Sequence, residues 1–430
     1  MLDYFVLHFR PVRLPERTIA FRHTFGLGGM SATLVFLMIL TGVLLMFVYE
    51  PSPERAYQSI EGLRREVRFG GLVRNVHHWS ANLLVLIVFL HLLRTFFTGA
   101  FHGARQFNWV IGVFLLLLVL AANFTGYLLP WDQLSYWAIT IVTGMLGYVP
   151  LIGDGLTRLA RGGPDIGTAT LINFYTFHTT LIPVTLVVLM GLHFWRVRKA
   201  GGVVVPLPWG EEGAGEPNKP DTVLFVPSLL MRELVTALAL TAFVLVLSVA
   251  LDARLADAAN PGMSPNPAKA PWYFLGLQEL LLHFHPTWAV VVLPGLALLG
   301  MLAIPYVRYE PEMEGRWFVS PTGRSMAAAA CVAALVLTPL WVLADEYAID
   351  WSGWLPFLPT TLSEGLIPVA IALALTWGVA RLAARRYGGN RQETVQAAFA
   401  FVATALIILT VFGVWFRGAG MALTWPWKVG

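Results

Sequence analysis

Four histidines lie in two apolar segments at nearly the same spacing. His77 and His91 are fourteen residues apart, and His178 and His193 are fifteen apart. In an α-helix both spacings are close to four turns, so each pair occupies roughly one helix face, about 21 Å apart along the axis. Imidazole is a common axial ligand of haem iron, and ionisable side chains are rare in hydrocarbon unless they serve a cofactor or a pathway. The spacing therefore predicts two stacked bis-histidine haem sites.

Each histidine taken alone has a simpler interpretation, because buried histidines are often core residues bonded to neighbouring polar groups. Four histidines at matched spacing, in two segments able to face each other, favour the ligand interpretation. Another alternative is a different class of protein, a transporter with polar core histidines. Absence of b-type haem absorbance from the purified chain would favour that class.

The composition predicts a membrane protein. Of its 430 residues 57% are hydrophobic and 13% charged, and the mean hydropathy is +0.67. Such a chain is not water-soluble on its own. Hydropathy predicts an all-α polytopic bundle of about nine spans, with a diheme four-helix bundle at its N-terminal end. The predicted spans are 27–49, 77–97, 108–129, 175–196, 229–250, 288–306, 326–343, 363–380 and 395–416.

The charged residues predict an orientation. The first 25 residues are basic and lack a short apolar stretch followed by small residues, so we expect no cleavable signal peptide but a segment on the cytoplasmic membrane surface. With the N-terminus inside, the inner loops hold most of the Lys and Arg, although the first outer loop is also basic. The net charge of +4 is assigned to loops facing anionic lipid, and no nucleic-acid partner is predicted. Cys331 is the single cysteine, which excludes intrachain disulfides, a four-cysteine metal site and haem attached at a Cys-x-x-Cys-His motif.

Glycines repeat the spacing of the first histidine pair. Gly28 and Gly42 are fourteen residues apart in the first span, and Gly112 and Gly126 are fourteen apart in the third. A flat macrocycle between helices needs places where the backbone comes close, and glycine supplies them because it lacks a Cβ. Ordinary small-residue packing would explain either pair alone. Together with the histidines, the four glycines are predicted to contact haem.

Basic residues flank the histidine segments. Arg74 and Arg94 lie three residues outside the first histidine pair, and Arg198 and Lys199 follow the last histidine. Haem propionates are anionic, and positions three apart are neighbours on a helix, so these cations are predicted to lie beside the haem edges. The alternative, anchors that extend to the membrane interface, stays open.

Three long motifs resemble the cytochrome b of quinol:cytochrome c and quinol:plastocyanin oxidoreductases. They are RNVHHWSANLLVLIVFLHLLRTFFTGAF (74–101), GYLLPWDQLSYWAITIVTG (126–144) and FYTFHTTLIPVTLVVLMGLHFWRVRKAG (174–201). The PWDQ within the second motif resembles the plastoquinol-oxidising branch. GEPNKPDTVLFVP (215–227) is similar to the start of that branch's small companion subunit, here on the same chain. The resemblance covers about residues 20–310 and defines four segments: 1–200, the diheme bundle; 201–228, a cytoplasmic linker; 229–310, quinone-pocket helices; and 311–430, extra transmembrane helices.

The resemblance implies the haem pairing and the partners. His77 and His178 would ligate the b haem nearer the outer face, and His91 and His193 the b haem nearer the cytoplasm, both without covalent attachment. The family also implies a quinol-oxidising pocket outside and a quinone pocket inside. Its implied partners are membrane quinol, a Rieske iron–sulfur protein, a c-type cytochrome and a second copy in a homodimeric complex, all in a bacterial inner (cytoplasmic) membrane.

The outer pocket departs from the family pattern. The family motif P-E-W-Y stands here as Ala270, Pro271, Trp272 and Tyr273, so its glutamate, the usual proton acceptor, is missing. Aromatic candidates for the pocket wall are Tyr136, Trp272 and Tyr273, each of which has an interface aromatic belt as its alternative. Candidate replacements for the proton acceptor are Glu279 and Asp132, and more weakly His283 and His285, although a solvated charge is the default for each.

Two further comparisons with the family concern the cytoplasmic side. Gly26 stands where the plastoquinol-oxidising branch has a haem-bearing cysteine, so no covalently attached third haem is expected. Asp221 matches an acid before the fifth helix, and with Arg198 and Lys199 it is a candidate for the inner quinone pocket.

The sequence therefore predicts an oxidoreductase subunit, the cytochrome b of a bacterial quinol-oxidising bc-type complex that splits the electron pair of quinol and contributes to a proton gradient. The alternative within electron transfer is a linear diheme anchor that passes both electrons to another redox partner without a Rieske protein. The missing P-E-W-Y glutamate keeps that alternative open.

Overall fold

The computed structural model describes residues 12–207, 221–310 and 312–428. Within these residues nine helices are long and apolar enough to cross a membrane, so the predicted all-α polytopic fold of nine spans is confirmed. Numbered together with the shorter helices, they are α2 (Leu27–Met46), α4 (Gly70–Phe97), α5 (Gly103–Leu128), α8 (Thr168–Lys199), α9 (Phe225–Ala250), α11 (Trp288–Tyr306), α12 (Pro321–Tyr347), α14 (Thr361–Tyr387) and α15 (Arg391–Phe416). The shorter helices are α1 (Phe21–Thr24), α3 (Ala56–Arg65), α6 (Gln133–Met145), α7 (Gly153–Arg161), α10 (Trp272–His283) and α13 (Trp351–Trp354).

Helices α4 and α8 begin at residues 70 and 168, earlier than the spans predicted at 77 and 175. Hydropathy detects only the apolar part of a helix, whereas the backbone hydrogen bonds continue through polar residues such as Arg74 and Asn75. Parts of two predicted segments, Arg10 in the basic N-terminus and most of the linker (208–220), lie outside the described residues. The four-segment division of the sequence stays a prediction.

The chain packs as two compact units. Unit 1 comprises 1–135, 161–259 and 313–316, as far as these residues are described. In it α4 packs against α2, α5 and α9, and α8 packs against α5. Two short strands, β1 (Arg13–Pro15) and β2 (Thr222–Leu224), pair antiparallel, and Leu14 and Phe225 form a small buried cluster beside them. Unit 1 therefore contains both helices that carry the histidine pairs.

Helix α8 contains a wider π turn at Phe177–Leu181. Pro183 follows this turn and has no N–H to donate to the preceding turn of the helix, which favours the irregularity. A π turn takes up one residue more than an α turn. The fifteen residues from His178 to His193 therefore rotate through nearly the same angle as the fourteen residues from His77 to His91.

Unit 2 comprises 136–160, 260–312 and 317–430, as far as these residues are described. In it α12, α14 and α15 pack together, and α10 packs against α15 and α12. Two glycines permit the close approach of α10 and α15. A Cβ on Gly276 would lie 2.6 Å from Thr410 Oγ1, and one on Gly413 would lie 3.0 Å from Leu275 Cβ.

Candidate functional site

The four histidines form two facing pairs inside unit 1. The ring centroids of His77 and His178 are 6.2 Å apart, and those of His91 and His193 are 6.5 Å apart. Two metal–imidazole bonds of about 2 Å, together with the half-widths of two rings, span about 6 Å. Each pair therefore has the separation that a single iron between two imidazoles requires.

Each of the four predicted glycines lies beside a different histidine. A Cβ on Gly126 would lie 2.5 Å from Cε1 of His178, and one on Gly42 would lie 3.3 Å from Cε1 of His77. Gly112 and Gly28 have the same relation to the other two histidines, at 3.6 Å each. The glycines leave room for the imidazole rings in the plane between the helices, and Gly126 leaves room that alanine would not.

Two threonines hold Nδ1 of one histidine pair. Oγ1 of Thr41 lies 2.9 Å from Nδ1 of His77, and Oγ1 of Thr125 lies 3.1 Å from Nδ1 of His178. Both hydroxyls donate their own hydrogen to a carbonyl one turn earlier in their helix. The hydroxyl oxygens must therefore accept from Nδ1–H, and this tautomer leaves the Nε2 lone pairs available to a metal.

The second pair lines a cavity of about 920 Å³ in unit 1. Its wall includes both histidine rings together with Gly28, Gly112 and Arg94. The volume is in the range of cofactor pockets, and the two imidazoles are its metal-ligating groups. The residues at this pair and at the threonine-held pair therefore fit b-type haem.

The predicted propionate partners differ in their surroundings. Arg74 is buried, and its guanidinium donates to the carbonyls of Ala253 and Arg254, so it fastens the loop after α9. Arg94 is also buried, donates from Nε to the carbonyl of His23, and lines the cavity. The Arg94 charge adds to burial in lowering the pKa of His23 to about 4, so that imidazole is neutral at pH 7.

The inner candidates are more open. Arg198 lines the cavity, whereas Lys199 is exposed and its ammonium lies 5.6 Å from the centre of the Trp195 ring. Asp221 is exposed, and its backbone carbonyl accepts from the N–H of Glu16 beside β1. Of these three residues, the structure therefore places Arg198 at the cavity wall, and Lys199 and Asp221 lie away from it.

Comparison with known proteins identifies the family. The family model for cytochrome b/b6/petB matches residues 16–201. Cytochrome b6 of Synechococcus elongatus is 42% identical over 175 residues, which are 41% of this chain and 81% of the relative. The chain belongs to the cytochrome b family. Cytochrome b6 of Heliomicrobium gestii is 43% identical over 177 residues, 41% of this chain and 83% of the relative.

A solved structure extends the similarity in fold to the rest of the chain. A chain of a hyperthermophilic respiratory Complex III covers 90% of this cytochrome b, with 90% of its own length, at a TM-score of 0.64 and 21% identity. At that identity the comparison supports the fold alone. The protein is thus a multi-pass membrane cytochrome b of the bc-complex family, a b-type haem protein and an oxidoreductase subunit.

Asp132 in this cytochrome b is a buried helix cap in unit 1. Its Oδ1 accepts from the N–H of Ser135 at the start of α6, and its Oδ2 accepts from the N–H of Ala256. Both oxygens are thus occupied by backbone donors. Within unit 1, this bonding joins the segment 132–135 to the segment after α9.

The aromatic candidates and Glu279 belong to unit 2. Trp272 and Tyr273 open α10, with ring centroids 5.6 Å apart and nearly perpendicular planes, and Trp272 is exposed. Tyr136 lies on α6, with its ring edge-on to Trp137. Glu279 lies two turns along α10 from Trp272 and is fully buried. The structure therefore places Trp272, Tyr273 and Glu279 on one helix, together with the weaker candidate His283.

Glu279 has partners that the sequence did not indicate. Its Oε1 accepts from Nε and Nη2 of Arg417, at 2.9 and 2.6 Å, and lies 3.4 Å from Nε2 of His283. Burial would raise the pKa of Glu279, but hydrogen bonding with His283 and Arg417 outweighs burial and holds the pKa below its ordinary value. Burial likewise disfavours protonation of His283, yet hydrogen bonds to Asp345 and Glu279 raise its pKa.

Sequence reasoning missed Thr41, Thr125 and Arg417. A signal existed for the threonines, because each directly precedes one of the singled-out glycines, giving a repeated Thr-Gly pair in the first and third spans. For Arg417 the only signal was an isolated cation at the end of an apolar span, and nothing local connects it to a residue 138 positions earlier.

Proposed function

We propose that this cytochrome b belongs to a bacterial quinol-oxidising bc-type complex in the inner (cytoplasmic) membrane, with its N-terminus in the cytoplasm. Quinol is oxidised at the outer face, one electron leaves to a Rieske iron–sulfur protein, and the other crosses to an inner quinone pocket. The Rieske protein passes its electron to a c-type cytochrome. The charge separation and the release of protons outside contribute to a proton gradient.

The observation that carries the proposal is the repeated histidine pairing. Two facing imidazole pairs lie on the same two helices, α4 and α8, about four turns apart. Two bis-histidine b haems, when bound, would supply one-electron carriers at two depths of the membrane. A single electron-transfer step across one face would need only one such pair.

The residues of unit 1 have distinct roles in this proposal. His77 and His178 hold the haem nearer the outer face, and His91 and His193 hold the one nearer the cytoplasm. Arg94 and Arg198 neutralise anionic groups at the inner cavity. Arg198 also belongs to the inner quinone pocket, together with Lys199 and Asp221. Arg74 contributes indirectly, because it orders the loop that follows α9.

The outer quinol pocket combines apolar walls with a proton acceptor. Tyr136, Trp272 and Tyr273 supply the walls. Glu279 is the preferred acceptor because one of its carboxylate oxygens has no hydrogen bond from any residue that the structure describes, whereas both oxygens of Asp132 cap backbone N–H groups. Asp132 then acts by fixing the start of α6.

The test uses anaerobic, quinol-poised membranes that contain the complex, with oxidation at the inner pocket blocked. A pulse of an oxidant that acts at the outer face should increase the reduced b-haem absorbance, because removing the first electron of quinol forces the second into the b haems. Reduced b-haem bands that only decrease would contradict bifurcation, but they would not contradict the assignment of the haem ligands.

A second candidate follows from Pro271, which stands at the position of the family's proton-accepting glutamate. It is a linear diheme anchor that passes both electrons to another redox partner without a Rieske protein. The same pulse discriminates the two, since only the bifurcating complex gains reduced haem when oxidant is added.

A further inference from the structure

A network of five charged and titratable residues, three of them buried, joins three helices in unit 2. It consists of Glu279 and His283 on α10, Asp345 and Glu346 on α12, and Arg417 directly after α15. The side chains of Glu279, His283 and Arg417 are at most 1% exposed. We call these five residues the unit 2 network. Charges buried this deeply are costly unless they are paired or serve a function.

The two oxygens of Glu279 have different environments. Both guanidinium contacts, from Nε and Nη2 of Arg417, go to Oε1. Oε2 is buried and has no hydrogen-bond partner among the described residues. An ion pair that only fastened helices together would use both oxygens in the bidentate geometry that arginine favours. The unbonded Oε2 leaves Glu279 with an oxygen able to accept a proton.

His283 connects Glu279 to the edge of the network. Its Nε2 lies 3.4 Å from Oε1 of Glu279, and its Nδ1 lies 2.7 Å from Oδ2 of Asp345. The Asp345 side chain is 12% exposed, and its other oxygen accepts from Nε1 of Trp351. An imidazole between two carboxylates can take up a proton at one nitrogen and release one from the other. The chain therefore runs from a buried carboxylate to one that reaches solvent.

Arg417 has a second anion available when Glu279 is neutral. Its Nη1 donates to Oε2 of Glu346 at 2.8 Å and to the carbonyl of Met421 at 3.0 Å. Lys269, in the loop before α10, donates to the carbonyl of Val414 and attracts the Glu279 carboxylate electrostatically. Protonation of Glu279 therefore leaves no cation of the network without a partner.

From this geometry we propose that the unit 2 network is the proton-release chain of this cytochrome b, running Glu279 to His283 to Asp345. The inference rests on the proposed function, in which quinol is oxidised at the outer face. The quinol O–H bond breaks as its electron leaves to the iron–sulfur partner, and the proton bonds to Oε2 of Glu279. A half-turn of the carboxyl delivers it to Nε2 of His283, while the proton on Nδ1 passes to Asp345 and then to water.

In this chain Arg417 is a positioning residue. It orients Glu279 by bonding Oε1 and keeps the carboxylate ionised between turnovers, so that Oε2 can accept the next proton. The close approach of α10 and α15 at Gly276 and Gly413 makes this contact possible. The resemblance found in the sequence covers about residues 20–310 and does not include α15. Through Arg417, which directly follows it, this helix has a role in the proposed reaction.

The experiment compares purified complexes carrying Glu279→Gln, His283→Gln or Asp345→Asn with the wild-type complex. We expect each variant to keep the wild-type b-haem absorbance after chemical reduction, to lower kcat for quinol oxidation about 100-fold, and to leave KM for quinol unchanged. The loss in kcat relative to the wild type should become smaller as pH rises, because quinol then loses its proton directly to hydroxide. Since the residues act in one chain, Glu279→Gln with His283→Gln should be no slower than the slower single variant.

The matched control is Asp350→Asn, the same substitution at an exposed aspartate five residues after Asp345. It should leave kcat and its pH profile at wild-type values. Asp345→Asn also guards against a folding artefact, because asparagine keeps an oxygen for the Trp351 hydrogen bond and sits at the exposed edge of the network. If Glu279→Gln or His283→Gln loses its haem, the kcat and pH profile of Asp345→Asn alone test the proposed relay.

Variants with normal haem and wild-type kcat would overturn the relay, and so would losses in kcat with an unchanged pH profile, which would assign the network to packing. Failure of the proposed function would be seen elsewhere, in a wild-type complex that oxidises no quinol or gains no reduced haem in the oxidant pulse. A wild-type complex that bifurcates while all three variants match it would contradict the relay alone.

Discussion

Oγ1 of Thr41 lies 2.9 Å from Nδ1 of His77, and the same hydroxyl donates its hydrogen to the carbonyl of Leu37. The threonine is thereby an acceptor for Nδ1–H and decides which ring nitrogen is left for iron. Thr125 has the same relation to His178. Each histidine of this pair is therefore fixed in its tautomer by a threonine that directly precedes a glycine.

Thr41→Val together with Thr125→Val should weaken haem binding at this pair by about 10- to 100-fold, because a hydrogen bond to the second ring nitrogen of a ligating histidine tunes metal affinity. Haem content and redox titration of the purified complex measure the effect, which should be confined to one of two haem components. The control is Thr33→Val in the same helix, where the hydroxyl donates to the carbonyl of Gly29 rather than facing a histidine. Equal losses in control and test would contradict the tautomer argument.

Substitution of each histidine should remove one haem and spare the other. His77→Leu should abolish the component held with His178, and His91→Leu the component held with His193. Each variant should then keep about half of the wild-type haem per chain, since the two pairs are separate along the helices. Complete loss in one variant and no loss in the other would contradict two independent sites.

The glycines should show graded tolerance to alanine. Gly126→Ala should displace the His178 ring, because the new Cβ would lie 2.5 Å from its Cε1, whereas the contact at Gly112→Ala is 3.6 Å and ordinary. We expect strongly reduced haem content only for Gly126→Ala. Gly191→Ala in α8, where a Cβ would meet nothing within 4 Å, is the control. A larger loss of haem in Gly112→Ala than in Gly126→Ala would contradict this packing.

Deletion of Thr180 tests the π turn of α8. Removing this exposed residue shortens the histidine spacing from fifteen to fourteen and converts the turn to an α turn, so both haems should still bind. Deletion of Val85, which lies between the histidines of α4 in a regular helix, should rotate one ring by about 100° and lose a haem. Visible spectra of the two deletions give the answer, and equal haem loss in both would refute the compensation.

Arg417→Ala should destabilise unit 2 by about 3–5 kcal/mol, because it leaves the Glu279 carboxylate buried without its main partner. Adding Glu279→Gln should recover part of that loss by removing the charge. Thermal denaturation of the purified complex provides the measurement, with Arg386→Ala at an exposed position in the last turn of α14 as control. No recovery in the double variant would argue against the ion pair as the cause.

Stability should also depend on pH through the same residues. The pKa of His283 is raised, so its contribution is complete below the ordinary value of 6.5 and is lost as pH rises through the folded value. The pKa of Glu279 is lowered, so its contribution is present above 4.5 and is lost as pH falls through the folded value. The Tm should therefore fall on the alkaline side in the wild type and lose that dependence in His283→Gln.

The sequence predicted the spans and the histidine pairs because both depend on local periodicity. An apolar run of membrane length needs no tertiary information, and the spacing of His77 and His91 places them on one helix face by geometry alone. The fourteen-residue spacing of the glycines is a pattern of the same kind. Each of these features lies within a single helix.

The contacts of Glu279 could not be predicted, because they depend on how α10, α12 and α15 pack. In sequence, Asp345 and Arg417 are ordinary charges at the ends of spans, and the contact between guanidinium and carboxylate forms only where α10 and α15 pack together. Asp132 shows the converse, since a residue that looked able to accept a proton is occupied by two backbone donors.

The distance along the chain between Glu279 and Arg417 has a consequence for biogenesis. The ribosome must add 138 residues after Glu279 before it reaches Arg417. At ordinary rates of translation this takes on the order of ten seconds, during which the carboxylate has entered the nascent membrane protein without its guanidinium. A stalled or prematurely terminated polypeptide keeps that uncompensated acid, which gives quality-control proteases a physical difference between unfinished and completed molecules.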